Sequence, residues 1–165
     1  MGDVGPVLDF GVVLARLGAA AAIGGIIGLN REIHDKPAGL RTLSLVGLGA
    51  ALATLLSIEV TTAGKVADMG AVTRVIQGVL TGIGFLGAGV IFRGSDDKKV
   101  TGLTTAATIW VVACLGMACG AGRWRSAIAA TSIAMAILVI GGPFEKRADA
   151  VLRRGRHKAE PVDAP

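Results

Sequence analysis

The sequence predicts an all-α membrane protein, a polytopic bundle of five transmembrane helices. Only 18% of its residues are charged, 52% are hydrophobic and the mean hydropathy is +0.65. Five runs are close to the roughly 20 residues that a helix needs to cross a hydrocarbon core about 30 Å thick. They are 10–30, where Arg16 is the one charge, and the charge-free runs 42–58, 75–92, 100–122 and 126–144. Backbone polar groups in lipid must be satisfied internally, so we expect helices.

The distribution of lysine and arginine predicts the orientation of the bundle. Twelve of these residues fall in the loops after spans one and three and in the C-terminal tail, against four in the loops after spans two and four. The positive-inside rule therefore places the N-terminus outside and the C-terminus in the cytoplasm. No basic residue precedes Arg16, so we expect the first span to be retained rather than cleaved as a signal peptide. The net charge of +5 indicates contact with anionic lipid rather than nucleic acid.

Span one contains Arg16, the one charge well inside a span. Its side chain is expected either to reach outward to the membrane surface or to pair with Asp9, and the alternative is a functional counter-charge. Span one also begins a series of small residues at four-residue spacing, which let helix backbones approach closely in lipid. The series comprises Ala20, Gly24 and Gly28 in span one, Gly78 and Gly82 in span three, and Gly116 and Gly120 in span four. It predicts a packed bundle, and such faces also serve homo-oligomers.

The loop between spans one and two concentrates charge on the predicted cytoplasmic side. Arg31 and Glu32 end the first span, and Arg41 and Thr42 begin the second. Glu32 and Asp35 are candidate ligands for a hydrated Mg²⁺, an ion typically held by one or two carboxylates and several waters. A solvated loop of ordinary salt bridges is the alternative interpretation, and we favour it.

Span three has an unusually dense run of glycine, with four of them in eight positions. Each glycine in a helix interior costs about 1 kcal/mol relative to alanine, so the run either packs very closely or is locally unwound. Unwound carbonyls would be able to coordinate an ion, as in transporters with broken helices. We favour close packing. The glycines are Gly82, Gly84, Gly87 and Gly89.

Span four opens with hydroxyl side chains, among them Thr104, Thr105 and Thr108. They predict either bonds back to carbonyls of the preceding turn, or a stripe that lines a pathway or forms hydrogen bonds between helices. Trp110 lies near the middle of this span, so its indole N–H is expected to need a partner inside the bundle. Cys114 and Cys119 are expected to pack, without a disulfide or a metal.

The fifth span is expected to end near Gly142, which divides the chain into a transmembrane domain over 1–142 and a cytoplasmic tail over 143–165. In the tail, Phe144, Ala148, Val151 and Leu152 follow helical spacing, and arginine and lysine fill other positions. This pattern predicts a basic amphipathic stretch that lies on anionic lipid. Residues 160–165 are expected to be disordered.

These motifs, in this order, resemble the membrane domain of the MgtC/SapB family. The resemblance runs from about Arg16 to Gly122 and rests on the residues named above at the ends of spans one and two, the glycine run, and Gly102 through Trp110. It implies a bacterial inner-membrane protein linked to growth in low magnesium and, in pathogens, to virulence through survival inside macrophages. Some members are described as magnesium transporters, whereas the best-studied ones act on membrane partners, including the F-type ATP synthase. Longer members add a soluble cytoplasmic domain, which we do not expect here because only about two dozen residues follow the fifth span.

Two hypotheses of function remain from the sequence. The first is a non-enzymatic regulator, expected to form a homo-oligomer, with a dimer favoured, whose glycine faces and Arg31, Glu32 and Arg41 engage another membrane protein. The second is a channel or carrier for Mg²⁺ or another cation, lined by the glycines of span three and the threonines of span four. The chain contains no P-loop and no nucleophile beside a recognisable base, so we expect no enzyme and no bound cofactor other than possible Mg²⁺.

Overall fold

The architecture is known from a computed structural model that describes residues 8–62, 69–93 and 100–157. It confirms an all-α fold with five helices long and apolar enough to cross a membrane. The helices are α1 (Phe10–Ile33), α2 (Leu40–Thr62), α3 (Met69–Gly89), α4 (Leu103–Gly120) and α5 (Trp124–His157). Between α3 and α4 the short strands β1 (Phe92–Arg93) and β2 (Val100–Thr101) pair antiparallel. The orientation of the bundle across the membrane remains a prediction.

Helix α2 lies between α1 and α4 and packs against both through glycine. A Cβ atom added to Gly28 would lie 2.7 Å from the carbonyl oxygen of Gly39, and one added to Gly47 would lie 2.7 Å from that of Ala20. At Gly24, Gly116 and Gly120 an added Cβ would meet the backbone of α2 closer than real Cβ atoms approach. The small faces predicted in spans one and four are therefore confirmed as sites of close helix packing.

Helix α3 differs from the prediction made for the glycine run of span three. It is a continuous α-helix through Gly89, so the glycine run is not unwound. A Cβ added at Gly78, Gly82, Gly84 or Gly89 would meet nothing within 4 Å, and only Gly87 is buried, in ordinary contact with Ala106. The close packing that we favoured for this run is therefore wrong within the chain. The reason is that α3 uses other positions against α2 and α4, namely Ile76, Val79, Leu80 and Ile83.

Helix α4 begins three residues later than the predicted span because Gly102 forms a turn before it. Gly102 has φ of 91°, a left-handed conformation that side chains other than glycine rarely adopt. An added Cβ there would also overlap the carbonyl oxygen of Val90. This glycine therefore fixes how the β1–β2 pair leads into α4.

Helix α5 is continuous from Trp124 to His157 and does not break at Pro143. Its first turns pack Ala127 into a small core with Ala20, Ala51 and Cys119. Cys119 is buried, and both cysteines are free thiols, as predicted. The chain contacts define one compact unit that ends at Thr131 and a second that begins at Ser132, whose described part is the remainder of α5. The structure describes no side chains from residue 143 onward, so the predicted lipid-facing pattern of the tail lies outside the described residues. The expected disorder of 160–165 also lies outside them.

Candidate functional site

The most unusual polar group of the bundle is Arg31, whose side chain is only 3% exposed although it lies in the last turn of α1. Its guanidinium donates to three neutral oxygens on two segments outside α1. Nε donates to the carbonyl oxygen of Pro37 at 3.1 Å, Nη1 to Oγ1 of Thr108 at 3.3 Å, and Nη2 to Oγ1 of Thr105. Arginine suits this role because its planar fork presents several donors at once. One side chain thus joins α1, the α1–α2 loop and α4.

The threonines of α4 are therefore partners for another helix, as one of the sequence alternatives held. Thr108 Oγ1 also donates to the carbonyl oxygen of Thr104 at 2.7 Å, which is the bond to the preceding turn that the other alternative predicted. Thr105 and Thr108 are buried, whereas Thr104 is exposed. The stripe is thus divided between an interior pair, occupied by Arg31, and an outward-facing residue.

The α1–α2 loop is shaped by the same end of α1. The amide of Lys36 bonds the carbonyl of Arg31 and the amide of Asp35 bonds that of Glu32, with Asp35 at φ of 51°. This is the Schellman arrangement, in which a left-handed residue ends a helix. The Glu32 carboxylate then accepts from the amide of Leu40 at 3.1 Å, which satisfies one free donor at the start of α2. A carboxylate is favourable at that positive helix end.

These contacts bear on the proposed magnesium ligands. Glu32 is engaged with the backbone of α2, and Asp35 occupies the turn that ends α1. Among the described residues, no group of three His, Cys, Asp or Glu side chains is placed to hold a metal ion. A site made of Glu32, Asp35 and water stays a prediction.

Arg16 performs the corresponding task at the opposite end of α4. Its Nη1 donates to the carbonyl oxygen of Gly120 at 2.9 Å. Gly122, at φ of 69°, ends α4 in a second Schellman arrangement that leaves this carbonyl for Arg16. The predicted pairing with Asp9 is wrong because the Asp9 side chain caps α1 through the amide of Gly11. Because α4 ends at Gly120, this contact directs the guanidinium toward the end of the span, and its reach to the membrane surface stays a prediction.

Two arginines of α1 therefore hold the two ends of α4. Fifteen residues separate Arg16 from Arg31, and the same number separates Thr105 from Gly120. At 1.5 Å per residue, both distances along the helices are about 22 Å. The contacts therefore align α1 and α4 side by side, antiparallel and in register at both ends. We call the contacts of Arg16 and Arg31 with α4 the arginine clamp.

The electrostatics of the clamp differ at its two ends. Arg16 meets the negative C-terminal end of α4, which favours a cation. Arg31 lies at the C-terminal end of α1 but also near the positive start of α4, and within the described ranges it makes no ion pair with a carboxylate. Buried charges usually need such a partner. Three oxygen acceptors stabilise Arg31 instead.

The remaining predicted residues lie outside the clamp. Arg41 and Thr42 are exposed on α2. Trp110 is 47% exposed on the surface of α4, so the expected partner for its indole inside the bundle is wrong. The reason is the direction of the helix face, because the neighbouring Ile109 and Val112 are the side chains of α4 that this part of the bundle buries.

Sequence reasoning missed two participants. Gly47 is the point where α1 and α4 both approach α2, and the carbonyl of Pro37 is the third acceptor of Arg31. The four-residue spacing of Gly39, Leu43, Gly47 and Ala51 was an available signal for the first. A loop carbonyl gives no such signal in a sequence.

Comparison with known proteins finds related sequences. The family model described as the MgtC family matches residues 17–147. Protein SrpB of Synechococcus elongatus is 42% identical over 130 residues, which cover 75% of this chain and 69% of that protein. Protein MgtC of Brucella abortus is 40% identical over 130 residues, covering 79% of this chain and 51% of that protein. Protein SapB of Bacillus subtilis is 40% identical over 119 residues, covering 71% and 51%.

No solved structure matches the chain. The chain spans about half the length of these MgtC and SapB relatives. The matched region nevertheless includes α2, α3, α4 and most of α1. It therefore contains the residues of α4 that Arg16 and Arg31 contact. The chain therefore belongs to the MgtC/SapB family of multi-pass membrane proteins.

Proposed function

We propose that this protein is a non-enzymatic regulator in the bacterial inner membrane that acts on a membrane-protein partner, in the context of magnesium homeostasis. The observation that carries the proposal is the open glycine face of α3. Gly78, Gly82 and Gly89 lie on one side of this helix with no atom within 4 Å of an added Cβ, beside Phe85, which is 82% exposed. We call these four residues the α3 face.

Glycine in a helix interior is costly unless another backbone approaches it. The α3 face therefore adds nothing to the fold of a single chain, but it suits close contact with a second transmembrane helix. A second copy and a different membrane protein would both use such a surface. We propose a homo-oligomer, with a dimer favoured, and a partner for which the F-type ATP synthase is the first candidate from the family resemblance.

Cation transport is the competing function, and the clamp argues against the proposed path. The buried hydroxyls of Thr105 and Thr108 already accept from Arg31, and the positive guanidinium would repel a cation there. The carbonyls of the glycine run are engaged in a regular helix, so an ion would have to displace helical hydrogen bonds.

Co-reconstitution tests the regulatory proposal. The full chain is placed in liposomes with purified F-type ATP synthase, and ATP-driven proton pumping is followed with a pH-sensitive dye. We expect the chain to change the pumping rate, the double substitution Gly82→Leu and Gly89→Leu to abolish the change, and Gly18→Leu to retain it. Gly18 is a matched control because an added Cβ there also meets nothing within 4 Å, but on α1.

The same vesicles distinguish the competing function. Entry of Mg²⁺ is measured with an internal fluorescent indicator, under an inward gradient and a negative internal potential. Saturable entry that Thr105→Val removes would refute the regulatory proposal and assign transport. Disulfide cross-linking of a Phe85→Cys variant lacking Cys114 and Cys119 tests the dimer, and absence of a cross-linked species in membranes would contradict it.

A further inference from the structure

A groove between α2 and α3 shares Gly82 with the α3 face, and its other features are ones that the regulatory function does not use. Its volume is about 570 Å³, and eight of its ten lining residues are apolar. On α2 it follows Leu45, Val46, Gly49 and Ala50, and on α3 it follows Val79, Gly82, Ile83 and Leu86. Its two polar residues, Arg41 and Thr42, lie together at one end. We propose that this groove binds one anionic phospholipid, with an acyl chain along the apolar wall and the phosphate at Arg41 and Thr42.

The dimensions of the groove fit one leaflet. Helix α2 enters its apolar span at Leu40, so Arg41 lies at the edge of the hydrocarbon, where lipid phosphates lie. From Arg41 to Ala50 the helix rises about 14 Å, which is close to half of a hydrocarbon core about 30 Å thick. The groove therefore runs from the membrane surface to about its midplane, the depth of one acyl chain.

The two glycines of the groove make room for that chain. An added Cβ at Gly49 or at Gly82 would meet nothing within 4 Å, so neither is needed for contact between α2 and α3. Leu45 and Leu86 are both exposed and form part of the wall. A flexible acyl chain fills such a shallow, smooth surface without ordering a further helix.

The charge at the end of the groove selects the headgroup. Arg41 is exposed and makes no hydrogen bond or ion pair within the part of the chain that the structure describes. The amide of Leu40 is already bonded to Glu32, so the phosphate site consists of the Arg41 guanidinium and the Thr42 hydroxyl rather than the start of the helix. Arginine and hydroxyl donors suit phosphate oxygens.

A second copy of the chain is a poorer occupant. Two copies related by an axis along the membrane normal would bring their Arg41 side chains to the same depth, and like charges repel. The occupant with complementary charge is an anionic lipid of the leaflet in which α2 begins.

Native mass spectrometry of the full chain tests this inference. The protein is extracted from vesicles of equal phosphatidylglycerol and phosphatidylcholine into mild detergent, and retained lipids are counted by mass. We expect one retained phosphatidylglycerol, and a fall of about fivefold in its preference over phosphatidylcholine in Arg41→Gln, the effect of one cation near the lipid surface. The control Arg125→Gln removes another exposed arginine, also at the second position of a helix, and should keep the preference.

A second variant fills the groove without touching its charge. Gly49→Leu should lose retention of both lipids, whereas Gly18→Leu should retain phosphatidylglycerol as the wild type does. Soluble glycerol phosphate should not displace the lipid, because it offers no acyl chain. Equal lipid preference in Arg41→Gln and wild type, displacement by glycerol phosphate, or a Gly49→Leu variant that changes the oligomer mass but not lipid retention would each overturn the proposal. These results do not depend on pumping by the ATP synthase, so the two proposals fail separately.

Discussion

Replacing Gly116 with alanine is expected to destabilise the bundle, whereas the same change at Gly82 is expected to stabilise it. Both glycines lie in helix interiors and begin or end a small-residue pair with four-residue spacing, so the sequence motif does not distinguish their environments. The structure distinguishes them. A methyl group on Gly116 would overlap the backbone of Gly47 on α2, and a methyl group on Gly82 would meet nothing within 4 Å.

The magnitude follows from two terms. Alanine gains about 1 kcal/mol over glycine in a helix interior, and this gain is common to both positions. Overpacking of a tight interface costs about 1–3 kcal/mol and applies only at Gly116. The obstacle there is backbone on backbone, and α2 is also held against Ala20 by Gly47, so relaxation is difficult. We therefore expect the variants to differ by about 3 kcal/mol, at the upper end of that overpacking range.

The assay is unfolding of the monomer in mixed micelles of mild detergent and sodium dodecyl sulfate, followed by helical circular dichroism. Gly18→Ala serves as a second open-site control and should behave like Gly82→Ala. Equal unfolding midpoints for Gly116→Ala and Gly82→Ala would refute the close packing of α2 and α4. A stabilised Gly116→Ala variant would do so as well.

Three further predictions use the same unfolding assay. Arg31→Met should lower the free energy of unfolding by about 1–3 kcal/mol, because it leaves the buried hydroxyl oxygen of Thr105 and the part-buried carbonyl of Pro37 without their donor. Thr105→Val should also destabilise by about 1–3 kcal/mol, because a guanidinium N–H loses its acceptor. Its control Thr104→Val, at an exposed position, should be nearly neutral. Gly102→Ala should destabilise by at least about 1 kcal/mol, the lower bound for a strained backbone, and this destabilisation should appear as a lower unfolding midpoint.

Each of these has a contrary outcome. An unchanged midpoint in Arg31→Met would mean that the clamp does not join the loop to α4. Equal effects of the two threonine changes would contradict their different environments. A stable Gly102→Ala variant would contradict the left-handed turn before α4.

The sequence by itself determined the features that depend on the solvent around each segment. Charge-free runs of about 20 residues predict helices because lipid offers no hydrogen bonds to the backbone. The close packing of the small residues in spans one and four was predicted for local reasons, and the structure confirms it. The bond of Thr108 to the preceding turn was one of two alternatives that the sequence left open. Family membership was likewise predicted from motif order, and the comparisons confirm it.

Only the tertiary structure decided which motif residues meet. Gly82 and Gly116 have the same spacing pattern, yet one is open and the other is pressed against a neighbouring helix, because this depends on which face each helix turns to α2. Arg16 lies inside the first span and Arg31 at its end, and their shared role emerges only when α4 lies antiparallel beside α1 at matching length. Local propensity acts over a few residues, whereas these contacts join segments 74 and 104 residues apart. Such pairings are set by how whole helices pack, which no single segment encodes.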